Sequence, residues 1–252
     1  MNPIALLTDF GLRDPFVGLM HAVIAARIPD ARIIDLSHGV APQAVDEAAF
    51  WLERSFQWFP RGTVFVAVVD PEVGTARAAL VVSAHERVFV GPDNGLLGEL
   101  AHAPGAEVRH IDIQKLGLAE PSRTFHGRDV FAPVAAELAA GRVAVADVGP
   151  LGTARRLEVF GSRVVSIDRF GNLVTNIEAR ELAGLARPVV VVAGREVPVA
   201  GTYAEVPVGE AVAVVSSFDT LELAVRNGNA AGVLGVERGA AATLREASSR
   251  AP

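Results

Sequence analysis

An acid and a base seven residues apart, Asp70 and Arg77, interrupt apolar strand material in the stretch VVDPEVGTARAALVV. Pro71, Gly74 and Thr75 between them are turn-formers, so the segment reads as a charged surface turn or as a reactive loop on the end of a buried sheet. Three other loops carry similar polar clusters: TDFG at 8–11 with Asp9, GPDNG at 91–95 with Asp93, and TFHGRD at 124–129 with His126. Taken singly, each reads most simply as Asp or Asn capping its own backbone, and His126 as a capping or packing residue. Taken together they are harder to dismiss, because open α/β sheets carry their sites in loops at the carboxyl ends of strands. Further on, DRFGNLVTN combines Asp168, Phe170, Asn172 and Asn176. An aromatic face beside an Asn amide suits a flat heterocycle with ring nitrogens and an exocyclic amine; a hairpin with a type I′ turn at Gly-Asn fits the spacing equally well.

The elements that must position these residues are legible in the pattern. IALLTDFG, ARIIDLSHG, TVFVAVVDP, AALVVSA, RVFVGPDNG and VRHIDI read as strands. PFVGLMHAVIAARIP, VDEAAFWLERSFQWF and DVFAPVAAELAAG read as helices, the first with apolar residues at helical spacing from Phe16 to Ile28. This alternation predicts an α/β N-terminal domain over 1–158, with a mainly parallel sheet covered by helices on both faces. After residue 158 the texture changes to short strands punctuated by Gly, Pro and Asn, with a hint of helix only at the ends of TLELAVRNG and AAGVLGVERGAAATLR read as strand. A small all-β, barrel-like or sandwich domain is expected over 159–252.

Composition narrows the function class. The 252 residues are 50% hydrophobic and 21% charged, with a formal net charge of −6, which argues against a nucleic-acid groove or a basic membrane patch. Cysteine is absent, which excludes disulfides, thiolate metal sites and a cysteine nucleophile and fits a reducing cytoplasm. No apolar run approaches the ~20 residues of a membrane span, and the N-terminus lacks signal-peptide character. A soluble cytoplasmic enzyme or small-molecule binder is expected. Dinucleotide and phosphate-loop glycine patterns, H-E-x-x-H and the G-x-S-x-G elbow are all missing, and no clustered His pair suggests zinc. The other five histidines, His85 and His102 among them, read as surface residues. A hard-metal site from Asp9, Asp70 and Asp93 is the one metal arrangement the acids suggest.

The chain resembles the S-adenosyl-L-methionine (SAM) hydroxide adenosyltransferases, relatives of the fluorinase and chlorinase enzymes. The resemblance runs in order through LLTDFGLRDPFVG, IDLSHGVAPQAVDEAAFWL, VVDPEVGTAR, VGPDNGLL, TFHGRDVFAPVAA, IDRFGNLVTNI, TYAEVPVGE and SSFDTLELAVRNGNAA. It implies an α/β domain followed by a β-barrel, and a trimer whose substrate lies between one chain's N-terminal domain and a neighbour's C-terminal domain. It implies that Asp9 binds the ribose hydroxyls, Phe170 and Asn172 the adenine, and Asp168 the methionine amino group. Ser217 and the backbone near Asn229 and Ala230 would complete the pocket. Asp70, Arg77 and His126 correspond to the family's hydrolytic trio. No cofactor and no metal are implied, SAM being the substrate and adenosine a product.

Departures separate the branches of that family. Halogenases carry a tyrosine at Asp70, and the fluorinase has Tyr-Ser where this chain has His126-Gly127, a tryptophan at Gln43, and a long loop between AALVVSA and RVFVGPDNG that is missing here. A carboxylate repels a halide but orients water. The resemblance therefore implies SAM hydrolysis, with Asp70 receiving a hydrogen bond or proton from water, Arg77 holding the developing hydroxide, and His126 relaying protons or orienting the trio. Glu72, where the hydrolase branch usually has Gly, adds a charge to the loop. A SAM-dependent halogenase, a non-catalytic adenosine-binding protein and a metal-dependent hydrolase are the alternatives.

Overall fold

In the computed structural model, residues 1–158 and 161–247 are described. Residues 159–160, where the sequence places the domain boundary, and 248–252 lie outside them. Internal contacts divide the chain into two units, Met1–Glu158 and Val159–Pro252.

The first unit contains β1 (Ile4–Thr8), α1 (Phe16–Arg27), β2 (Ile33–Ser37), α2 (Val45–Ser55), β3 (Val64–Val68), β4 (Ala79–Ala84), β5 (Arg87–Pro92), α3 (Gly98–Ala101), β6 (Glu107–His110) and α4 (Ala132–Ala139). They form a six-stranded sheet in the order β2-β1-β3-β5-β4-β6. The β1–β2, β1–β3 and β3–β5 pairs are parallel, whereas β4 runs antiparallel to β5 and β6. The sheet is thus mixed, parallel in the half that carries the first three acidic loops.

Both faces of the sheet are covered, and the strands show why they read as continuous apolar runs. Ile4 and Leu6 of β1 and Val64, Val66 and Val68 of β3 pack with Met20 and Ile24 of α1 and with α4. The intervening Ala5, Leu7, Phe65 and Ala67 pack with Ala48 and Leu52 of α2 and with Leu100 of α3. Period-two alternation therefore sends apolar side chains into two separate cores. Phe65 and Phe89 stack at 5.1 Å between ring centroids in the second. Each such fully buried ring contributes about 1.5–3 kcal/mol.

The strand order also places the site. The chain passes from β1 through α1 to β2 on one side, then through α2 to β3 on the other side of β1. The reversal leaves a crevice between the carboxyl ends of β1 and β3, the position where doubly wound sheets hold ligands. Asp9 follows β1 and Asp70 follows β3.

The second unit contains β7 (Val164–Ile167), β8 (Leu173–Glu178), β9 (Pro188–Val192), β10 (Arg195–Pro198), β11 (Ala211–Val215), β12 (Thr220–Val225), α5 (Ala230–Leu234) and β13 (Ala242–Glu246). Its strands form two antiparallel sheets, β10-β9-β13 and β11-β12-β8-β7. Isolated bridges join Arg163, before β7, to Ala241, before β13, and Val199, after β10, to Ala213 of β11. Leu173, Leu221 and Leu223 of one sheet pack with Val190, Val192 and Ala242 of the other.

Two local expectations are corrected here. TLELAV is not helical at either end but is the fully buried strand β12, paired on both sides with β11 and β8. Two-sided pairing overrides the helical propensity of Leu, Glu and Ala. The start of AAGVLGVERGAAATLR is the short helix α5: Asn229 caps its N-terminus by accepting from Gly232 N, and Gly235 ends it in the left-handed region. Those are ordinary helix start and stop residues and could have been read as such. Among the described residues no helix is long and apolar enough to cross a membrane.

Candidate active site

Asp70, Arg77 and His126 converge. Arg77 donates through Nε to both carboxylate oxygens of Asp70 at 3.0 Å, and through one terminal nitrogen to Oδ2. The same terminal nitrogen lies 2.8 Å from His126 Nδ1, and the other donates to the Ala78 carbonyl at 3.2 Å. Four of the five guanidinium N–H bonds are thereby directed. The ion pair is buried, with side-chain exposures of 1% for Arg77 and 5% for Asp70. The guanidinium also lies over the Phe131 ring, 5.4 Å from its centroid.

Local structure brings these groups together across the 49-position separation of Arg77 and His126. Gly74 sits at φ +78°, and a Cβ there would lie 2.2 Å from the Arg123 carbonyl oxygen. Only glycine lets the loop after β3 close onto the segment that carries His126. That segment is itself pinned: Ser122 Oγ accepts from Phe125 N, and Asp129 Oδ2 accepts from Ser122 N. Desolvation pushes Asp129 up, but hydrogen bonds from Arg128 and Ser122 outweigh it and hold the carboxyl down at about 2. A π-helical turn, Gly127–Phe131, then leads into α4. Such wide turns are frequent at functional sites.

The imidazole is tuned by this setting. Burial lowers the His126 pKa below the ordinary histidine value, and the Arg77 charge lowers it further against smaller opposing effects of Asp70 and Asp129. A guanidinium can only donate, so Nδ1 is the accepting nitrogen and the ring proton sits on Nε2.

Asp70 and His126, with Arg77 behind them, line a cavity of about 320 Å³ together with Asp9, Phe10, Gln43 and Phe125, with Thr124 and Val68 among its other walls. Asp9 Oδ2 accepts from Gln43 N at 2.8 Å, which fixes the carboxylate. Phe10, Phe16 and Phe125 form a cluster of edge-on rings 5.3–5.8 Å apart beside it. Gln43 stands where the resemblance puts the fluorinase's tryptophan, whereas Phe10 and Phe125 carry no such signal, since nothing in a lone aromatic marks it as a lining residue.

Asp93 takes no part in the trio. Its Oδ1 accepts from Arg155 N, and the Arg155 side chain pairs with Glu72 at 2.9 Å. Glu72 is thus an outward clamp on the loop. Among the described residues, the three-member groups of ligating side chains within 4.8 Å of one another number one, His21, Asp35 and His38. Asp9, Asp70 and Asp93 do not form the hard-metal site imagined from sequence, and His38 is buried, not a surface histidine.

In the second unit, Phe170 and Asn172 line a groove of about 600 Å³ with Tyr203, Arg226 and Asn227. Phe170 is 75% exposed. Asp168 organises the loop: Oδ1 accepts from the backbone N of Phe170 and Asn172, and Oδ2 from Asn172 Nδ2. The loop is an Asp-centred turn of five residues, not a two-residue type I′ turn. Gly171, at φ +85°, approaches Asn229 so closely that a Cβ would lie 2.2 Å from its Cγ, and its carbonyl accepts from Ala231 N. Asn229 and Ala230 are therefore brought to this loop, Asn229 as the cap of α5. Ser217 is not: it lies in the exposed turn before β12, at the opposite end of that strand, roughly 20 Å away at ~3.3 Å per residue. Tyr203 donates its hydroxyl to Glu222. Burial and then that carboxylate push the phenol up to about 12.

Comparison with known proteins decides the family. The chain matches the SAM hydroxide adenosyltransferase N-terminal domain over residues 4–149 and the C-terminal domain of the same name over 162–243. The chain belongs to the SAM hydroxide adenosyltransferase family. It is 39% identical to a Thermus thermophilus protein named (R)-S-adenosyl-L-methionine hydrolase, covering 95% of this chain and 98% of that one. A fluorinase from an Actinoplanes species is more distant, at 28% identity over 72% of this chain and 74% of that protein. The fold matches the crystal structure of an uncharacterized conserved protein from Thermotoga maritima with a TM-score of 0.87, 37% identity, and coverage of 96% and 99%.

Proposed function

We propose that this protein hydrolyses S-adenosyl-L-methionine to adenosine and L-methionine, and that its substrate is the (R) sulfonium epimer named for its relatives. The observation that carries the reading is the buried Asp70–Arg77–His126 constellation opening onto the cavity that also holds Asp9.

The chemistry needs little from the protein at the leaving group. Water oxygen forms a bond to C5′ while the C5′–S bond breaks, and its electron pair neutralises the sulfonium. Methionine leaves as a thioether, so no general acid is required. The nucleophile must be held in line and relieved of its proton. Asp70 is the acceptor. Arg77 fixes its carboxylate and offers positive charge to the forming hydroxide. Since His126 Nδ1 already accepts from Arg77, protonating it would set an imidazolium against a guanidinium; its role is to orient Arg77, not to take the proton. Asp9 receives the ribose hydroxyls, Phe170 and Asn172 the adenine, and Asp168 the methionine amino group. Asn229 and Ala230 complete the contacts around that loop, where Ser217, at the far end of β12, takes no part.

A halogenase reading is disfavoured by the same geometry. Four of the five Arg77 N–H bonds are committed, so little cationic donor capacity is left for a halide beside Asp70. We further propose a cytoplasmic homotrimer in which the ribose and adenine contacts come from different chains, a barrel-like C-terminal domain, and a reaction that needs no cofactor.

The test is a chromatographic assay with each sulfonium epimer, with and without added chloride or fluoride. Equal amounts of adenosine and methionine, independent of halide and faster from the (R) epimer, support the proposal. A halogenated nucleoside, or no product with adenosine retained, refutes it. Loss of specific activity on dilution, in step with dissociation seen by sedimentation, tests the shared site.

A further inference from the structure

A second cluster of chemistry-bearing residues lies in the first unit, behind the Asp9 loop and outside the proposed active site. His21 on α1 places Nε2 2.8 Å from Asp35 Oδ1 on β2. His38, just past β2, places its own Nε2 3.0 Å from the same oxygen. The His38 side chain is only 3% exposed, and its Nε2 is buried with no properly aligned hydrogen-bond partner. A buried ring nitrogen 3.0 Å from a carboxylate but out of line for a hydrogen bond leaves room for a third participant.

The other side of that ring supplies the second observation. His38 Nδ1 lies 2.8 Å from Thr8 Oγ1, and Thr8 Oγ1 accepts from Phe10 N. In the tautomer whose Nδ1 proton goes to Thr8, the Nε2 lone pair faces Asp35; in the other, Thr8 donates to Nδ1 and Nε2–H points at that carboxylate. In the first, two lone-pair donors stand at contact with nothing between them, and a metal ion selects it. A cation resolves this, and the arrangement is that of a metal-bound histidine whose second nitrogen is fixed by a hydrogen-bond acceptor.

From this geometry we infer that His21, Asp35 and His38 form a binding site for one divalent transition-metal ion of the zinc type. Donors ~2.0–2.1 Å from a common tetrahedral centre lie ~3.3 Å apart, so the 2.8 and 3.0 Å separations need open by only a few tenths of an ångström. Two imidazoles and one carboxylate favour zinc, cobalt or nickel over magnesium or calcium, which take oxygen ligands. The side chains of His21 and Asp35 are 35% and 41% exposed, which leaves a solvent-facing position for water as a fourth ligand and an entry path. An ion here ties α1 to the end of β2 and, through His38 and Thr8, to the residue preceding Asp9. It has no part in the proposed reaction and acts on the stability of the ribose loop.

The experiment uses the untagged full chain, freed of metal with a chelator that is then dialysed away, and titrated with Co²⁺ and then Zn²⁺. The expected result is one equivalent of Co²⁺ with a visible ligand-field band, displaced by Zn²⁺, and a rise in Tm of about 5–10 °C at zinc ~100-fold above Kd. Both signals should be lost in His21→Ala and in Asp35→Asn. His21 lies on the surface of α1, so its variant keeps the fold, as circular dichroism will verify, even if Asp35→Asn does not. Absence of stoichiometric Co²⁺ binding, or binding that persists in His21→Ala, overturns the inference.

Discussion

Replacing Asp70 by Asn removes the charge at the centre of the proposed mechanism while keeping the shape of the side chain. Three Arg77 N–H contacts end on this carboxylate, and both partners are almost wholly buried. Deleting one partner of such a pair leaves an uncompensated charge and costs about 3–5 kcal/mol. Asn retains one acceptor oxygen, so the lower end applies, about 3 kcal/mol. At ~2–4 °C per kcal/mol this lowers Tm by about 6–12 °C. The loss of the proton acceptor should reduce kcat by about 10²–10⁴-fold, equivalent to roughly 3–5 kcal/mol of barrier. Adenosine affinity should change by less than about threefold, because the nucleoside contacts are assigned to Asp9, Phe170 and Asn172. The assay pairs initial rates of adenosine formation with calorimetric titration of adenosine and a melting curve. A folded Asp70→Asn variant with kcat within about threefold of wild type would refute the role of Asp70. A raised KM at unchanged kcat would do so too, since it would mean the residue only binds substrate.

Three further outcomes are expected. The unfolded chain protonates His126 near pH ~6.5, the folded protein only at lower pH, so the residue's contribution to stability is complete above pH ~6.5 and falls as pH drops toward the folded value. An acid limb in kcat/KM should appear in the same window and be absent from His126→Gln; an unaltered limb in that variant would count against it. Glu72→Gly breaks an exposed pair with Arg155, 42% and 52% exposed. Such pairs contribute about 0–1 kcal/mol, so Tm should fall by less than ~4 °C and kcat stay within about threefold; a tenfold drop would show that the clamp positions Asp70. Burial, and secondarily Glu99, push the Glu53 carboxyl up to about 7. The folded protein then holds this proton where the unfolded chain has lost it, so stability falls as pH rises from ~4.5 through 7. Glu53→Gln should be stabilising at pH 8, by at most on the order of 3 kcal/mol, and neutral near pH 4; equal melting curves at pH 8 would contradict this.

Much of the first unit was legible because its strands are two-sided apolar runs and its helices carry the complementary spacing. β1 and β3 could be read directly, and the rule for open sheets sent Asp9 and Asp70 to one edge. What could not be read was that β4 runs antiparallel to its neighbours β5 and β6, since a short apolar run carries no direction. In the second unit TLELAV misled, because Leu, Glu and Ala favour helix until pairing on both edges makes a strand the only way to satisfy the backbone. The helix α5 of that unit escaped notice although Asn229 and Gly235 bracket it as a cap and a stop.

The sequence by itself determined which residue types stand in the loops and, through the family pattern, that Asp70, Arg77 and His126 belong together. Tertiary structure decided how they are arranged. Gly74 admits the Arg123 carbonyl, the Ser122–Asp129 hydrogen bonds aim His126, and Arg77 donates to its Nδ1, the geometry on which the proposed role of Asp70 as proton acceptor rests. It also brought His38 out of the surface class and beside His21 and Asp35. Spacing in the chain encodes local turns and faces. Donor direction, burial and the tautomer of a ring depend on neighbours that arrive from elsewhere in the fold, and no local pattern records them.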